Sequence, residues 1–270
     1  MSATAAPAVI VETEGPILIV TLNRPEKKNC INSEVMCRLY DAWVRLDRDD
    51  DLRVAILTGN GDTFCAGMDL SEIPKLTSGK ADSPWMERVL AEGDIIYGCW
   101  LKTYRPTKPV ILAAEGFARA GGTEILQGTD IRVAGKSACF GVTEVQRGLF
   151  PMAGSAVRLR RQIGYAVAAE MLLAGEDLPA QRAFDLGLIN HVVADGQALS
   201  KAKEIARRIA ENGPLAVKAI LATLRETEML DEPAAFAIEQ KYGMTVMMSK
   251  DAAEGPRAFL EKRKPNFHGK

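Results

Sequence analysis

The hydrophobic residues of this chain form short unbroken runs in its first half and helix-spaced stripes in its second half. Four mainly apolar runs predict β-strands, at 17–22, 54–58, 110–114 and 130–134. Apolar runs of this length that alternate with helical stretches are typical of strands covered on both faces in an α/β fold. Between the first two runs, a helix is predicted from a cap at Asn32 or Ser33 through Asp47.

Helical periodicity dominates the chain beyond Gln162. Helices are predicted at 166–173, 180–186, 197–211, 214–228, 233–248 and 251–263. Pro214 and Pro233 fit this interpretation because proline is tolerated in the first turn of a helix. The pattern predicts an α/β body at 1–195 and a C-terminal helical region at 196–270 that serves assembly.

Two segments carry no helix or strand signal. Residues 74–84, rich in Pro, Ser, Gly, Lys and Asp, are predicted to form an exposed, mobile loop. This loop either borders a pocket, because it lies between two candidate motifs, or is a spacer. The first seven residues lack the basic flank and apolar stretch of a signal peptide and are expected to form a floppy leader.

Composition and charge narrow the class of partner. The chain has 270 residues, 47% of them hydrophobic, and a net charge of -1. This balance argues against nucleic acid or an anionic membrane as the main partner. No run of eighteen apolar residues is present to span a membrane. Five cysteines, an odd number with no Cys-x-x-Cys pair, indicate reduced thiols in a cytoplasmic protein.

Groups for acid/base chemistry are few. The chain has two histidines, no metal-ligand cluster and no nucleophile motif. Glu124 and Glu144 lie twenty residues apart, and each follows a glycine-containing turn. If the protein is an enzyme, this pair of carboxylates is the most economical means of moving protons.

Two loops are candidates for binding an anion through backbone N–H groups. One is Thr-Phe-Cys-Ala-Gly-Met-Asp-Leu at 63–70, and the other leads into the Gly-Gly-Thr-Glu of 121–124. The second opens a helix, whose N-terminus presents unpaired N–H donors. Neither loop is Gly-x-Gly-x-x-Gly or carries the Gly-Lys-Ser/Thr of a nucleotide-binding loop, so an oxyanion is preferred to a phosphate.

Taken in order, the motifs resemble the crotonase (enoyl-CoA hydratase/isomerase) superfamily over nearly the whole chain. The segments that carry the resemblance lie at 22–25, 29–32, 65–70, 108–110, 116–118, 121–124, 140–144, 183–189 and 254–263. The resemblance implies a spiral of repeated ββα turns with a C-terminal helical region. It also implies a homotrimer or a dimer of trimers.

The resemblance implies a mechanism on an acyl-CoA thioester. The backbone N–H groups of Met68 and Gly121 would hold the thioester oxygen. Glu144 would protonate the α-carbon, while Glu124 would hold and activate the water that adds at the β-carbon. No metal is implied, and no cofactor is required, because coenzyme A is part of the substrate.

Retention of both glutamates favours a 2-enoyl-CoA hydratase. An enoyl-CoA isomerase, which needs only one base, is an alternative. Another is a related dehydratase of the family, such as a carnitinyl-CoA-type enzyme. A non-catalytic CoA-binding protein that kept the fold is the alternative from another class.

The resemblance also implies substrate contacts, from Lys27, Lys28, Ala66, Asp69, Val142, Met152, Phe259 and Lys262. Lys27 or Lys28 would approach a CoA phosphate, and the carbonyl of Ala66 would meet the adenine. Solvated surface charge is the alternative interpretation of Lys27, Lys28 and Lys262. Phe259 and Lys262, placed on one face of the predicted last helix, would reach the CoA of a neighbouring subunit.

Three departures from the family pattern surround the acyl site. Val142-Thr143 replaces the usual polar residue and proline, Met152 stands at a position commonly glycine, and Arg119-Ala120 precedes the glycine pair. The acyl group is therefore left open. An apolar acyl pocket is one interpretation of the residues Val142, Met152, Trp85, Met86 and Trp100; plain core packing is the other.

Overall fold

A six-stranded sheet forms the centre of the computed structural model, which describes residues 6–270. The strands of that part of the chain are β1 (Val9–Glu14), β2 (Ile17–Leu22), β3 (Val54–Gly59), β4 (Val110–Ala114), β5 (Phe117–Arg119), β6 (Ile131–Gly135), β7 (Cys139–Gly141), β8 (Asp177–Pro179) and β9 (His191–Val193). The large sheet has the order β1-β2-β3-β4-β6-β9, and only its first pair is antiparallel.

Helices cover this sheet and extend to the C-terminus. Within residues 6–270 they are α1 (Ser33–Arg48), α2 (Ile73–Ser78), α3 (Pro84–Ala91), α4 (Ile95–Gly98), α5 (Gly121–Gly128), α6 (Ser155–Gln162), α7 (Tyr165–Ala174), α8 (Ala180–Asp185), α9 (Ala198–Ala210), α10 (Pro214–Glu226), α11 (Glu232–Met247) and α12 (Lys250–Leu260). The α/β prediction is therefore confirmed. The orders β4-β5-α5 and β6-β7-α6 each give one ββα unit.

The central strands are apolar because both of their faces are buried. On β2, Leu18 and Val20 join the main hydrophobic cluster beside α1, whereas Ile17 and Ile19 join a second cluster on the opposite face. Side chains alternate between the two faces of a strand, so an unbroken apolar run serves both clusters. Helix α9 covers the second face with three alanines in i, i+4 steps, Ala198, Ala202 and Ala206.

A second, three-stranded sheet lies beside the large one and has the order β5-β7-β8. β5 and β7 are parallel, and β7 and β8 are antiparallel. In this register Arg119, Gly141 and Asp177 lie side by side across the three strands. The ends of β5 and β7 lead to the two predicted glutamates.

The predicted loop at 74–84 is largely wrong. Residues 73–78 form α2, and Pro84 begins α3, so only a short link joins two helices. Pro74 and Pro84 each occupy the first turn of a helix, where the missing N–H has no intrahelical partner to lose. Ser83 caps α3 by accepting a hydrogen bond from the N–H of Met86.

Other element boundaries differ by a few residues from the predicted ones. β1, which pairs with β2, was not predicted, and α12 ends at Leu260 rather than at 263. Lys262 has a φ of 55°, so it lies outside the helix that was expected to carry it with Phe259. Residues 1–5 of the predicted leader lie outside the described residues.

The sheet and the C-terminal helices are in contact through α9, which packs on β3, β4 and β6. The division into 1–195 and 196–270 stays a prediction. Among the helices of residues 6–270, none has the length and apolar character needed to span a bilayer. All five cysteines are free thiols, three of them buried.

Candidate active site

A cavity of about 670 Å³ lies where the loop after β3, the start of α5 and the loop after β7 meet. Its wall includes apolar side chains of α2 and α4, among them Leu76 and Tyr97. Of the residues singled out in the sequence, it brings together Lys27, Lys28, Ala66, Met68, Asp69, Gly121, Glu124, Glu144 and Met152. Segments separated by up to 125 positions therefore share one cavity.

The first predicted N–H donor, Met68, lies on a short bridge to Ile31. The N–H of Ile31 donates to the carbonyl of Gly67 at 2.8 Å, and the N–H of Asp69 donates to the carbonyl of Ile31 at 2.9 Å. Because successive backbone groups of an extended segment point to opposite sides, the N–H of Met68 points away from Ile31. Asp69 also pairs with Arg24 at 3.2 Å, which fixes the exit of this loop.

The second predicted donor, Gly121, is the first residue of α5, so its N–H has no acceptor within the helix. The preceding Ala120 has a φ of 50°, a conformation that a residue with a side chain rarely adopts. The N–H of Ala120 donates to the carbonyl of Gly141 at 2.8 Å and holds this turn on β7. The turn directs the start of α5 toward the cavity.

The two donor loops are in direct contact. Gly67 has a φ of 96°, and a Cβ added there would lie 2.7 Å from the Cβ of Ala120 and 3.0 Å from the nitrogen of Gly121. Only glycine allows this approach. The N–H groups of Met68 and Gly121 therefore belong to neighbouring backbone segments, an arrangement that suits one oxygen anion.

Glu124 lies one turn into α5 and is only 4% exposed. Its Oε1 accepts a hydrogen bond from the N–H of Ser155, the first residue of α6, at 3.1 Å. Burial raises the pKa of Glu124, while the N–H groups at 153–155 oppose that rise. These donors at the start of a helix stabilise the ionised carboxylate.

Glu144 begins a short 3₁₀ turn, Glu144–Arg147, directly after β7. Its Oε2 is buried and has no hydrogen-bond partner among the described residues. Burial first, and the charge of Glu124 second, raise the pKa of Glu144 to about 7. The two carboxyls therefore differ in environment: Oε1 of Glu124 accepts a hydrogen bond, whereas the buried Oε2 of Glu144 accepts none from the described residues.

The cavity combines an apolar wall, two candidate backbone donors and two carboxyls in different hydrogen-bonding environments. Such a set can stabilise a developing oxyanion while one carboxyl gives a proton and the other takes one. No group of three or more His, Cys, Asp or Glu side chains in residues 6–270 is arranged to hold a metal ion.

Three of the residues singled out do not line this cavity: Val142, Phe259 and Lys262. Val142 is only 1% exposed and belongs to the main hydrophobic cluster. Side chains alternate along an extended segment, so Val142 enters the core while Thr143 lines the cavity. Phe259 is 83% exposed at the end of α12.

The aromatic candidates for an acyl pocket separate in the same way. Trp100 lines the cavity and packs against Gly121, where an added Cβ would lie 2.5 Å from its ring. Trp85 and Met86 are absent from the cavity wall, and Met86 is fully buried.

Of the two alternatives for residues 74–84, a pocket border or a spacer, the first holds for Leu76 and Thr77 of α2, which line the cavity. Leu70 and Ile73 line the cavity as well, and the signal available was Asp69, which caps the 3₁₀ turn before α2.

Sequence reasoning missed the partner of Arg119. Asp177 pairs with Arg119 from a position 58 residues away and lies outside every family motif. No local pattern could have indicated that pair.

Comparisons with known proteins identify the family of this chain. A family model described as enoyl-CoA hydratase/isomerase matches residues 12–270. Enoyl-CoA hydratase EchA19 of Mycobacterium tuberculosis is 52% identical over 269 residues, 98% of each chain. Mevalonyl-coenzyme A hydratase sidH of Aspergillus fumigatus is 38% identical over 99% of this chain and 98% of that protein.

A crystal structure of an enoyl-CoA hydratase from Mycobacterium tuberculosis has the same fold. It superimposes with a TM-score of 0.89 at 42% identity and covers 98% of this chain and 100% of that chain. The predicted crotonase-type fold and the resemblance drawn from the motifs are thus confirmed. The chain is an enzyme of the enoyl-CoA hydratase/isomerase family.

Proposed function

We propose that this enzyme is an enoyl-CoA hydratase that adds water reversibly across the 2,3 double bond of a 2-enoyl-CoA. The observation that carries the proposal is the pair Glu124 and Glu144, which share one cavity and differ in their hydrogen bonding. The names of the relatives, which include several hydratases, support the same reaction.

In the proposed mechanism, the N–H groups of Met68 and Gly121 bind the thioester oxygen. They stabilise the enolate that forms when electrons move from the double bond onto that oxygen. Both donors are main-chain groups held by the contact at Gly67, so they need no reorganisation during the reaction. Loss of one such donor typically costs about 3 kcal/mol of transition-state stabilisation.

Water is handled by the two carboxyls. The oxygen of the water forms a bond to the β-carbon while one of its protons passes to ionised Glu124. The α-carbon then takes the proton of Glu144, and the electron pair of the enolate forms that C–H bond. Glu124 ends protonated and Glu144 ionised, so a proton returns from Glu124 to Glu144 through solvent before the next turnover.

CoA would be held mainly at the mouth of the cavity. Lys27 and Lys28 lie there, and the ammonium of Lys28 contacts Asp62 at 3.0 Å in an exposed pair that is easily exchanged. We assign both lysines to the CoA phosphates, the carbonyl of Ala66 to the adenine, and Met152 to the acyl group. The reaction takes its CoA from the substrate and uses no other cofactor.

A homotrimer or dimer of trimers is part of the proposal. The C-terminal helices expose several large apolar side chains, among them Phe236, Met244, Met247 and Phe259. Extended exposed apolar surface is typical of protein interfaces. Phe259 and Lys262 would then reach the CoA of a neighbouring subunit. The free cysteines support a reducing, cytoplasmic location.

Hydration is tested by following loss of the conjugated-thioester absorbance of crotonyl-CoA and of longer 2-enoyl-CoAs. We expect turnover by the wild type and a fall in kcat of about 1,000-fold in Glu124→Gln and in Glu144→Gln. Glu12→Gln, an exposed change on β1, is the matched control. Equal inertness of wild type and variants at every chain length would refute the hydratase proposal.

Two further measurements address the alternatives. Product analysis with a 3-enoyl-CoA detects an isomerase, for which conversion faster than hydration would be required. Sedimentation at micromolar concentration tests the assembly, and a monomer there would contradict the trimer.

A further inference from the structure

One feature near the cavity has no part in the mechanism above. Arg119 on β5 and Asp177 on β8 form an ion pair across the strand that lies between them. The Nε of Arg119 lies 3.1 Å from each carboxylate oxygen, and its Nη2 lies 2.5 Å from Oδ2. The pair is partly buried, with side-chain exposures of 43% and 27%.

The pair exists because the middle strand has a glycine at that register. Gly141 lies opposite both Arg119 and Asp177. A Cβ at position 141 would lie 2.3 Å from Oδ1 of Asp177, closer than any real contact. The side chains of the outer strands therefore meet over the backbone of the inner one.

Two of these three strands lead to a group of the proposed mechanism: β5, which carries Arg119, and β7, which lies between the paired residues. β5 continues through strained Ala120 to the N–H of Gly121, and β7 continues through Thr143 to Glu144. The hydrogen bond from Ala120 to the carbonyl of Gly141 joins the same two strands at 2.8 Å. Gly121 follows Arg119 by two positions, and Glu144 follows Gly141, which lies between the paired residues, by three.

Arg119 is itself fixed in place. Its guanidinium lies 4.6 Å from the centre of the Phe117 ring on the same strand, within cation–π range. Both residues line the cavity. A bidentate, stacked guanidinium keeps one orientation, which a flexible lysine would not.

We propose that Arg119 and Asp177 are positioning residues that set the oxyanion donor of Gly121 relative to the carboxyl of Glu144. The proposal rests on the proposed hydratase function. A partly exposed ion pair adds little to global stability. Displacement of reacting groups by about 1 Å can lower a rate by up to about 100-fold. Loss of the pair should therefore change kcat far more than it changes the free energy of unfolding.

The test uses Arg119→Met, Asp177→Asn and the double variant. We expect each single change to lower kcat about tenfold with KM within about twofold, and the double variant to match the singles because both remove the same interaction. Arg88→Met is the matched control, since Arg88 makes a bidentate pair with Asp41 away from the cavity. Asp177→Asn keeps the size of the side chain and serves if Arg119→Met does not fold.

A second readout reports the oxyanion donors directly. An aryl-substituted enoyl-CoA absorbs at longer wavelength when its carbonyl is polarised, and we expect a smaller red shift in the bound state of both variants than in wild type. Unchanged kcat and red shift would overturn the positioning role. Additive losses of kcat in the double variant would also overturn it. A rise in KM alone would overturn it as well and would make Arg119 a CoA-binding residue.

The outcomes separate the two proposals. If the wild type shifts the absorbance of the bound aryl-substituted enoyl-CoA but hydrates no enoyl-CoA, the hydratase proposal is refuted. The red shifts of the variants then still decide the role of the ion pair. A wild type that does neither overturns both.

Discussion

The two sheets of this enzyme contrast in length, composition and task. The six-stranded sheet has central strands of five or six residues that are almost entirely buried and apolar. Each strand of the small sheet has three residues, and an arginine, a glycine and an aspartate face one another across it. The large sheet forms the centre of the hydrophobic core, and the small sheet leads to the residues that we propose for catalysis.

The contrast follows from what each sheet must satisfy. Burial of apolar side chains tolerates small shifts, since the free energy depends mainly on the area removed from water. Catalytic geometry does not tolerate them. Beside the small sheet, Ala120 has a positive φ, and Gly67 and Gly141 have no room for a side chain.

The largest effect on stability should come from the large sheet. Leu57 is fully buried in the middle of β3, so Leu57→Ala should lower the free energy of unfolding by about 3 kcal/mol. The kcat of the folded protein should stay within about twofold of wild type. Urea unfolding and steady-state kinetics measure the two quantities. A tenfold fall in kcat would break the division between the sheets.

A substitution beside the small sheet should act on rate instead. Gly67→Ala brings a Cβ to 3.0 Å from the nitrogen of Gly121 and should lower kcat about 100-fold by separating the two donors. Gly164→Ala is the control, because Gly164 also has a positive φ but no atom near the added Cβ. If both variants lose kcat equally, backbone strain rather than the donor contact is responsible.

Replacing Glu144 should lower kcat but raise the free energy of unfolding at alkaline pH. Burial raises its pKa to about 7. The protonated carboxyl therefore makes its full contribution to folding stability below about pH 4.5, and this contribution is lost as pH rises through 7. Glu144→Gln cannot ionise, so its free energy of unfolding should exceed that of wild type by about 2 kcal/mol at pH 8, a gap that narrows as pH falls and closes below about pH 4.5. Thermal unfolding across this range measures the gap, which should be absent in Glu12→Gln.

The smallest effect is expected at the mouth of the cavity. Lys28 and Asp62 form an exposed pair, so Lys28→Ala should change the free energy of unfolding by less than about 0.5 kcal/mol. We expect KM for the acyl-CoA to rise about threefold with kcat unchanged. An unchanged KM would remove Lys28 from the CoA contacts.

The sequence predicted the four inner strands of the large sheet well because their signal is local, whereas the edge strands β1 and β9 were missed. The runs at 17–22, 54–58 and 110–114 match β2, β3 and β4 closely. Strands of three residues show no periodicity, so β5, β7 and β8 could not be found in this way. Pro74 and Pro84 were taken for loop residues although, as at Pro214 and Pro233, each lies in the first turn of a helix.

The site residues also divide into those with a local sequence signal and those without one. Family motifs indicated Glu124, Glu144, Met68 and Gly121, which the fold brings to one cavity. Val142 was misplaced because the direction of a side chain after a three-residue strand depends on tertiary structure. The pairing of Arg119 with Asp177 depends on a register between strands 58 residues apart, which a single sequence does not encode locally.

The glycine at the centre of the small sheet has an evolutionary consequence. Because Arg119 and Asp177 meet only where position 141 has no side chain, these three positions form one epistatic unit. A lineage that gains a side chain at 141 must lose the pair in the same step or accept a displaced strand.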